Sequence, residues 1–395
     1  MPKKLGFLRS EQKDFSQAEP LYQRALAVLE KAIGPDDLMV ADYLENLALV
    51  YWNLEDYGRV ESLNERALAI REKVLGPDHP DVAHCCSNLV SVYGVLESYA
   101  KAEPLAQRAL AIHEKRHGPE HLTVARSLYL LELVYAGFED HTRAVPFLRR
   151  ALSLYEKLQG GHHPETVECL HRLASIYRRC EDYDKSGPLY LRVLEFHEKQ
   201  CGPSHLTVAE ILNDLAVLFC DKAEYGKAEP LFQRALSIYE TLYGPDHPEV
   251  AKRLENLALL YLEWQDFGAA LTVQERVLNV WDKVLGPEHP EVAKSLQNLG
   301  LIYRLTGDFA TAESLYLRAL AIEENVYGPD HPVTAGTLNN LVGLYASLGE
   351  SEKALSLCQR AVDVSGKVFG PSDPIVARTL IKQLHQIALA MKESP

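Results

Sequence analysis

Residues 244–285 read GPDHPEVAKRLENLALLYLEWQDFGAALTVQERVLNVWDKVL. The opening words recur as GPDHPDVAH over 76–84 and GPEHPEVAK over 286–294. Gly-Pro stands at Gly34, Gly76, Gly118, Gly202, Gly244, Gly286, Gly328 and Gly370; the missing member falls at Gly160, where Gly161 replaces proline. Every interval is 42 residues, with no insertion. A fixed period of this size is the signature of a solenoid or a propeller.

The residues inside one period choose between the two. Ala251, Leu254, Leu257, Ala258 and Tyr261 fall at i, i+3, i+6, i+7 and i+10, which is helical spacing without strand alternation. A second helical run, Ala270, Val273, Val277, Leu278 and Val280, follows Phe267. Two helices per period exclude a propeller, whose blades need four strands. The recurring words are then helix punctuation. Gly suits the left-handed position past a helix end and Pro blocks continuation. Asp246 is expected to cap the next helix, Pro248 to occupy its first turn, and Glu249 to place negative charge at its positive end.

The expected organisation is one all-α domain over 1–395. It comprises a partial first repeat at 1–33, eight full repeats over 34–369, a closing polar helix over 370–392 and a short tail at 393–395. In such an array each unit touches only its neighbours.

The pattern resembles the tetratricopeptide repeat. Leu254, Leu257, Ala258 and Tyr261 match the first helix of that family; Ala270 and Val277-Leu278, with Ala67-Leu68 and Ala319-Leu320 elsewhere, match its second. The phrases LENLALLY, AEPLFQRALSIYE and GPDHPEVA are similar to the kinesin light chain and nephrocystin-3 subgroup. The resemblance implies a right-handed α-solenoid superhelix of helix-turn-helix repeats. It also implies a concave face lined by first helices, and a protein-binding adaptor or scaffold rather than an enzyme. By resemblance alone it admits a cytoskeletal or ciliary setting. The upstream coiled coil of both relatives and the nucleotide-binding domain of nephrocystin-3 are not matched in this chain, so motor attachment and nucleotide hydrolysis are not implied.

Charged residues make up 24% of the chain and hydrophobic ones 47%, ordinary values for a folded soluble protein. The net charge of −14 disfavours nucleic acid as a partner. No apolar run approaches a membrane span, and MPKKLGFLRS lacks the apolar core of a signal peptide. The seven cysteines are Cys85, Cys86, Cys169, Cys180, Cys201, Cys220 and Cys358. An odd number without CxxC spacing reads as reduced thiols, and the cytoplasm is the expected compartment.

No catalytic or cofactor constellation emerges. Histidines recur in the joints at His79, His121, His163, His205, His247, His289 and His331. Packed helices lie about 8–10 Å apart, whereas zinc ligands converge to about 2 Å from one ion, so successive histidines serve the joints and not a metal. Gly160-Gly161 is a loosened joint and no GxSxG nucleophile motif occurs. The carboxylate pairs Glu55-Asp56 and Glu181-Asp182 sit between the helices of a repeat, as turn residues.

Eight copies in one chain provide an internal control. Arg24, Arg66, Arg108, Arg150, Arg192, Arg234, Arg276, Arg318 and Arg360 form one unbroken column, which fits helix-end or inter-repeat hydrogen bonding better than ligand binding. Beside the core leucine of the first helices stand Asn46, Asn88, Leu130, Arg172, Asp214, Asn256, Asn298 and Asn340. Asparagine offers both donor and acceptor, so this column admits two readings: a hold on a peptide backbone, or a bridge between neighbouring helices. Arg126, Arg172, Arg178, Arg179, Lys252, Lys294 and Arg304 offer basic charge on the same face, interrupted by Glu168, Glu210 and Asp214. A basic groove in an acidic body selects acidic segments; scattered solvated charge is the alternative. Trp52 is placed on the concave face as a side-chain anchor, and Trp281 in packing.

The leading expectation is therefore a protein that holds an extended, acidic peptide segment in its concave groove through Asn46, Asn88, Asn256, Asn298, Asn340, Arg126, Arg172, Arg178, Lys252, Lys294, Arg304 and Trp52, without cofactor or metal. The alternative is a scaffold that docks folded partners on its outer face or self-associates through its N-terminal edge. Residues 3–13 match only the latter half of a first helix, so the chain is expected to be a fragment, a truncated isoform, or a product whose edge a partner covers.

Overall fold

The computed structural model describes residues 12–369. The closing helix expected at 370–392, and residues 3–11 of the partial repeat, lie outside the described residues. The chain divides into two compact units, Met1–Phe196 and His197–Pro395, a boundary within the second helix of the fourth full repeat that the period alone does not mark.

Among the described residues there are 17 α-helices and no strand. The first is the helix Gln12–Ile33. First helices then begin at Leu38, Pro80, Leu122, Pro164, Leu206, Pro248, Pro290 and Pro332, and second helices at Tyr57, Tyr99, His141, Tyr183, Tyr225, Phe267, Phe309 and Ser351. Both series keep the 42-residue step throughout. Within each unit first helices pack on their own second helices, as Leu38–Asn53 does on Tyr57–Leu75 and Pro248–Glu263 on Phe267–Leu285, and second helices pack on the first helix of the next repeat. This is an all-α repeat array.

Small residues set the close approach of the helices. Ala102, Ala144, Ala228, Ala270, Ala312 and Ala354 share one second-helix position and are all 0% exposed. The valine-alanine pairs Val40-Ala41, Val82-Ala83, Val124-Ala125, Val208-Ala209, Val250-Ala251 and Val292-Ala293 are buried at the start of first helices. Burial of this kind supplies most helical stability, because isolated helices of such length are marginal in water.

Each repeat has a long and a short joint. In the long one, the glycines from Gly34 to Gly328 adopt φ between 79° and 93°, and each donates its N–H back to the carbonyl four residues earlier, as Gly76 does to Glu72 at 3.0 Å. The residue that caps the following helix is the histidine and not the preceding acid. His247 accepts from the Glu249 N–H through Nδ1 at 3.1 Å, and His79, His121, His205, His289 and His331 do the same in their own repeats. Asp37 takes the role in the first full repeat, and His163 instead faces Glu165. Asp246, expected as the cap, pairs with Lys283 at the end of its own repeat at 3.3 Å. The reason is backbone geometry: the histidine carries the extended φ and ψ that aim a side chain at the first free N–H groups. In the short joint Glu55 and Glu181 adopt left-handed φ of 60° and 59°. Asp56 then caps the second helix, accepting from the Arg59 N–H at 3.1 Å. The carboxylate pairs are turn residues, as expected.

The arginine column staples repeat to repeat. Arg66 meets Glu30 at 2.5 Å, Arg150 meets Glu114 at 2.6 Å and Arg234 meets Glu198 at 2.7 Å, each spanning 36 residues. Arg108 also donates to the Pro77 carbonyl at 2.9 Å. Each pair is half-exposed and individually weak; their constant offset fixes the register of successive repeats.

Candidate functional site

The expected site residues fall into two sets, one in each unit. In the first unit they are Asn46, Trp52, Asn88, Arg126, Arg172 and Arg178; in the second, Lys252, Asn256, Lys294, Asn298, Arg304 and Asn340. All lie on first helices.

The asparagines bridge. Asn88 donates to Glu45 of the preceding first helix at 3.3 Å, Asn256 to Asn213 at 2.8 Å and Asn340 to Gln297 at 3.3 Å, always over 43 residues. All three are half-buried, as is Asn298, while Asn46 is exposed. One N–H of the amide is thus committed to the fold at three positions. The second N–H adds a donor, so bridging does not consume the whole group.

The basic residues differ sharply among themselves. Arg172 is held by Glu132, a carboxylate with no exposed surface, through two bonds of 2.8 Å from Nε and Nη2. Its guanidinium also lies 5.6 Å from the centre of the Tyr129 ring. Burial pushes the Glu132 carboxyl above its usual value even with the guanidinium opposing that shift. Arg172 therefore belongs to a structural lock and corrects the expectation of a ligand-facing cation. Sequence reasoning missed Glu132, though the signal was present: the same position elsewhere reads Ala48, Val90, Ala174, Ala216, Ala258, Gly300 and Val342. Arg126 stands 3.9 Å from Glu165. Arg178 and Arg304 are half-buried in the last turns of their helices. Lys252 meets Glu249 at 2.7 Å and Lys294 meets Glu255 at 3.1 Å, with both lysine side chains more than half exposed.

Trp52 and Trp281 both pack within the fold. Trp52 is half-buried and sits edge-on to Tyr57, 5.4 Å between ring centres, so it is not the free anchor expected. Trp281 is buried and donates to Glu255 at 3.1 Å, as its expected packing role requires.

An apolar row was not foreseen. One turn beyond the asparagine column stand Leu49, Leu133, Val217, Leu259 and Leu301. Leu49 and Leu259 are 47% and 55% exposed, and the other three are half-buried. Helical periodicity marks this row, because it lies three residues after the asparagine position on the same face.

Among the described residues no three His, Cys, Asp or Glu side chains stand where one metal ion is shared. No helix among them is long and apolar enough to cross a membrane. Among the described residues no disulfide joins the cysteines, and burial pushes the thiols of Cys85 and Cys169 up to about 12, which keeps them protonated and unreactive.

A profile of the tetratricopeptide repeat family matches residues 2–73, 83–157, 166–241, 207–280, 265–324 and 299–357. No curated protein matches the chain. Among solved structures, the apo form of RapI superposes with a TM-score of 0.50 at 15% identity, covering 72% of this chain and 98% of its own. BtubC (BKLC) from P. vanneervenii is 25% identical, with a TM-score of 0.47, over 60% of this chain and 92% of its own. A putative kinesin light chain repeat protein from Podosopora anserina is 22% identical, with a TM-score of 0.48, over 53% of this chain and 99% of its own. The likeness to RapI shows the fold alone.

Proposed function

The chain belongs to the tetratricopeptide repeat family, whose members mediate protein–protein interactions, and from that premise we propose that it is a non-catalytic adaptor holding an extended, acidic segment of a partner across its first helices. The observation that carries this reading is the register of Asn256, Asn298 and Asn340. They recur at one half-buried position of three successive first helices, with the exposed Lys252 and Lys294 one turn earlier. A row of amides can follow a peptide backbone whatever its side chains, each bond contributing about 0.5–1.5 kcal/mol. Both lysine side chains are more than half exposed, and the pair of Lys252 with the partly exposed Glu249 is weak, so a ligand carboxylate can compete for that lysine.

The test is a pull-down with the wild type and an Asn256→Ala/Asn298→Ala/Asn340→Ala variant, after circular dichroism shows that both are folded. Loss of specific partners from the folded variant supports the groove; persistence of the same partners overturns it.

One observation favours a second reading, docking on another surface. The second helices of the second unit end in exposed apolar pairs, Leu242-Tyr243, Val284-Leu285 and Val326-Tyr327, each residue 38–50% exposed. Partners that survive the triple variant and are lost on Leu242→Ser/Val284→Ser/Val326→Ser belong to that edge.

A further inference from the structure

The repeats that begin at Gly118 and Gly244 build the same corner beside their short joints. In the earlier copy the rings of Tyr99 and Phe138 lie 5.7 Å apart, centre to centre. Next to them the Tyr135 hydroxyl donates to Glu103 at 2.8 Å, and the Gln107 amide donates to the same oxygen at 3.1 Å. The later copy repeats this at the same places in its period. Tyr225 and Trp264 lie 6.4 Å apart, Tyr261 donates to Glu229 at 2.7 Å, and Gln233 donates to the same oxygen at 2.9 Å.

The two corners differ in what closes them. Arg143 closes the earlier one, with its guanidinium 4.5 Å from the centre of the Tyr135 ring and its Nη1 3.6 Å from Glu103. The corresponding residue of the later copy is Ala269. A cation here is the rule of this chain. Arg59, Lys101, Lys185, Lys227 and Lys353 hold the same position and lie 4.8–5.5 Å from the rings of Tyr51, Tyr93, Tyr177, Phe219 and Tyr345. Among the eight full repeats only Ala269 and Thr311 depart. Thr311 departs together with the acid, because Leu271 stands one period after Glu229. Glu229 alone keeps the carboxylate and the tyrosine without the cation. Both of its hydrogen bonds land on Oε1, and among the described residues no basic side chain pairs with it. Trp264 beside it is 43% exposed. Packing does not require an indole there, since Leu54, Leu96 and Leu348 hold that place in other repeats.

We propose that Glu229 and Trp264 form a socket for an arginine side chain of a partner protein, seated as Arg143 is seated in this chain's own earlier copy. A guanidinium donates to a carboxylate and stacks on an aromatic face at once, whereas an ammonium is a compact, strongly hydrated point charge. Tryptophan is the ring that binds cations best. The net charge of −14 draws a basic partner toward the chain. The socket uses neither the asparagines nor the lysines of the first-helix row, and it stands or falls apart from the groove reading above.

Fluorine NMR of the full chain carrying 5-fluorotryptophan tests this, since the three tryptophans give three signals and Trp264→Phe identifies the one that matters. The probes are two capped tripeptides, Gly-Arg-Gly and Gly-Lys-Gly, which carry the same charge. The arginine peptide is expected to move the Trp264 signal saturably and to leave those of Trp52 and Trp281 in place. Glu229→Gln keeps the acceptor for Tyr261 and is expected to weaken that binding roughly tenfold. Ala269→Arg supplies the cation from within the chain and is expected to abolish the response. A Trp264 signal that the arginine peptide does not move overturns the socket, as does a response that Glu229→Gln and Ala269→Arg both leave unchanged. Equal affinity for the lysine peptide overturns the assignment to arginine.

Discussion

Arg172 donates two hydrogen bonds of 2.8 Å to Glu132, 40 residues earlier in the chain, and thereby ties the first helices of neighbouring repeats. Both residues depart from their columns together, for Glu132 replaces alanine, valine or glycine and Arg172 stands among asparagines. Removing one partner leaves an uncompensated buried charge, which costs about 3–5 kcal/mol. Arg172→Ala is expected to lose that much in a denaturant titration. The double change Glu132→Ala/Arg172→Asn, which restores the residues of other repeats, is expected to be neutral or stabilising. A single variant as stable as the wild type refutes the lock.

The histidine caps give a second prediction. His247 supplies an acceptor to the Glu249 N–H at 3.1 Å, so His247→Ala removes one cap at a cost of about 1 kcal/mol. His247→Asn keeps an acceptor and is expected to recover most of the loss in thermal denaturation. Equal destabilisation by both changes shows that the imidazole acts by packing instead.

Acid sensitivity follows from His113. Its Nδ1 lies 2.8 Å from the Ser127 hydroxyl. Burial first, and then His117, His121 and His84, lower its pKa to about 4. The folded value lies below the unfolded one, so the stability it contributes is complete above about pH 6.5 and is lost as pH falls toward 4. The ceiling is about 3 kcal/mol, reduced by solvent screening. The drop in denaturation midpoint between neutral and mildly acidic buffer is expected to be smaller for His113→Gln than for the wild type. An unchanged drop excludes His113 as the cause.

Backbone strain in the short joint makes the fourth. Gln265 holds φ of 62°, where the corresponding Gly307 and Gly349 of the last two full repeats use glycine. The left-handed region costs a side chain about 1–2 kcal/mol, and glycine returns part of that gain through a freer unfolded chain. Gln265→Gly is expected to raise stability by about 0.5 kcal/mol, read from the midpoint of chemical denaturation. A loss of stability indicates that the Gln265 side chain contributes more than its backbone costs.

How far the sequence reaches is visible in these same residues. The period places every helix start from Leu38 onward, because proline, glycine and apolar spacing act locally, within one turn of the residues that cause them. The cap assignment misses by one residue, Asp246 for His247, because both side chains are acceptors and only the backbone angles choose between them. The fate of Arg172 was closed to a reading of its own column, since its partner lies on another helix and in a different column. A comparison of every column, including the small ones, exposes Glu132 as the residue out of place. The asparagines illustrate the remaining limit: the same side chain bridges helices and still keeps a second N–H, so neither sequence nor contact excludes a ligand.

Salt separates the two readings of how partners are held. If the segment is acidic and lies beside Lys252 and Lys294, its affinity contains a Coulomb contribution that falls as the screening length shrinks from about 10 Å at 0.1 M to about 3 Å at 1 M. Capture of the partner is expected to weaken steeply over that range, and Lys252→Ala/Lys294→Ala is expected to flatten the dependence. Docking on the apolar pairs around Leu242 and Val284 buries surface that salt does not screen, so affinity there is expected to hold or to rise. A wild-type affinity that is flat in salt, with the lysine variant indistinguishable from it, moves the interaction off the first-helix face and onto that edge.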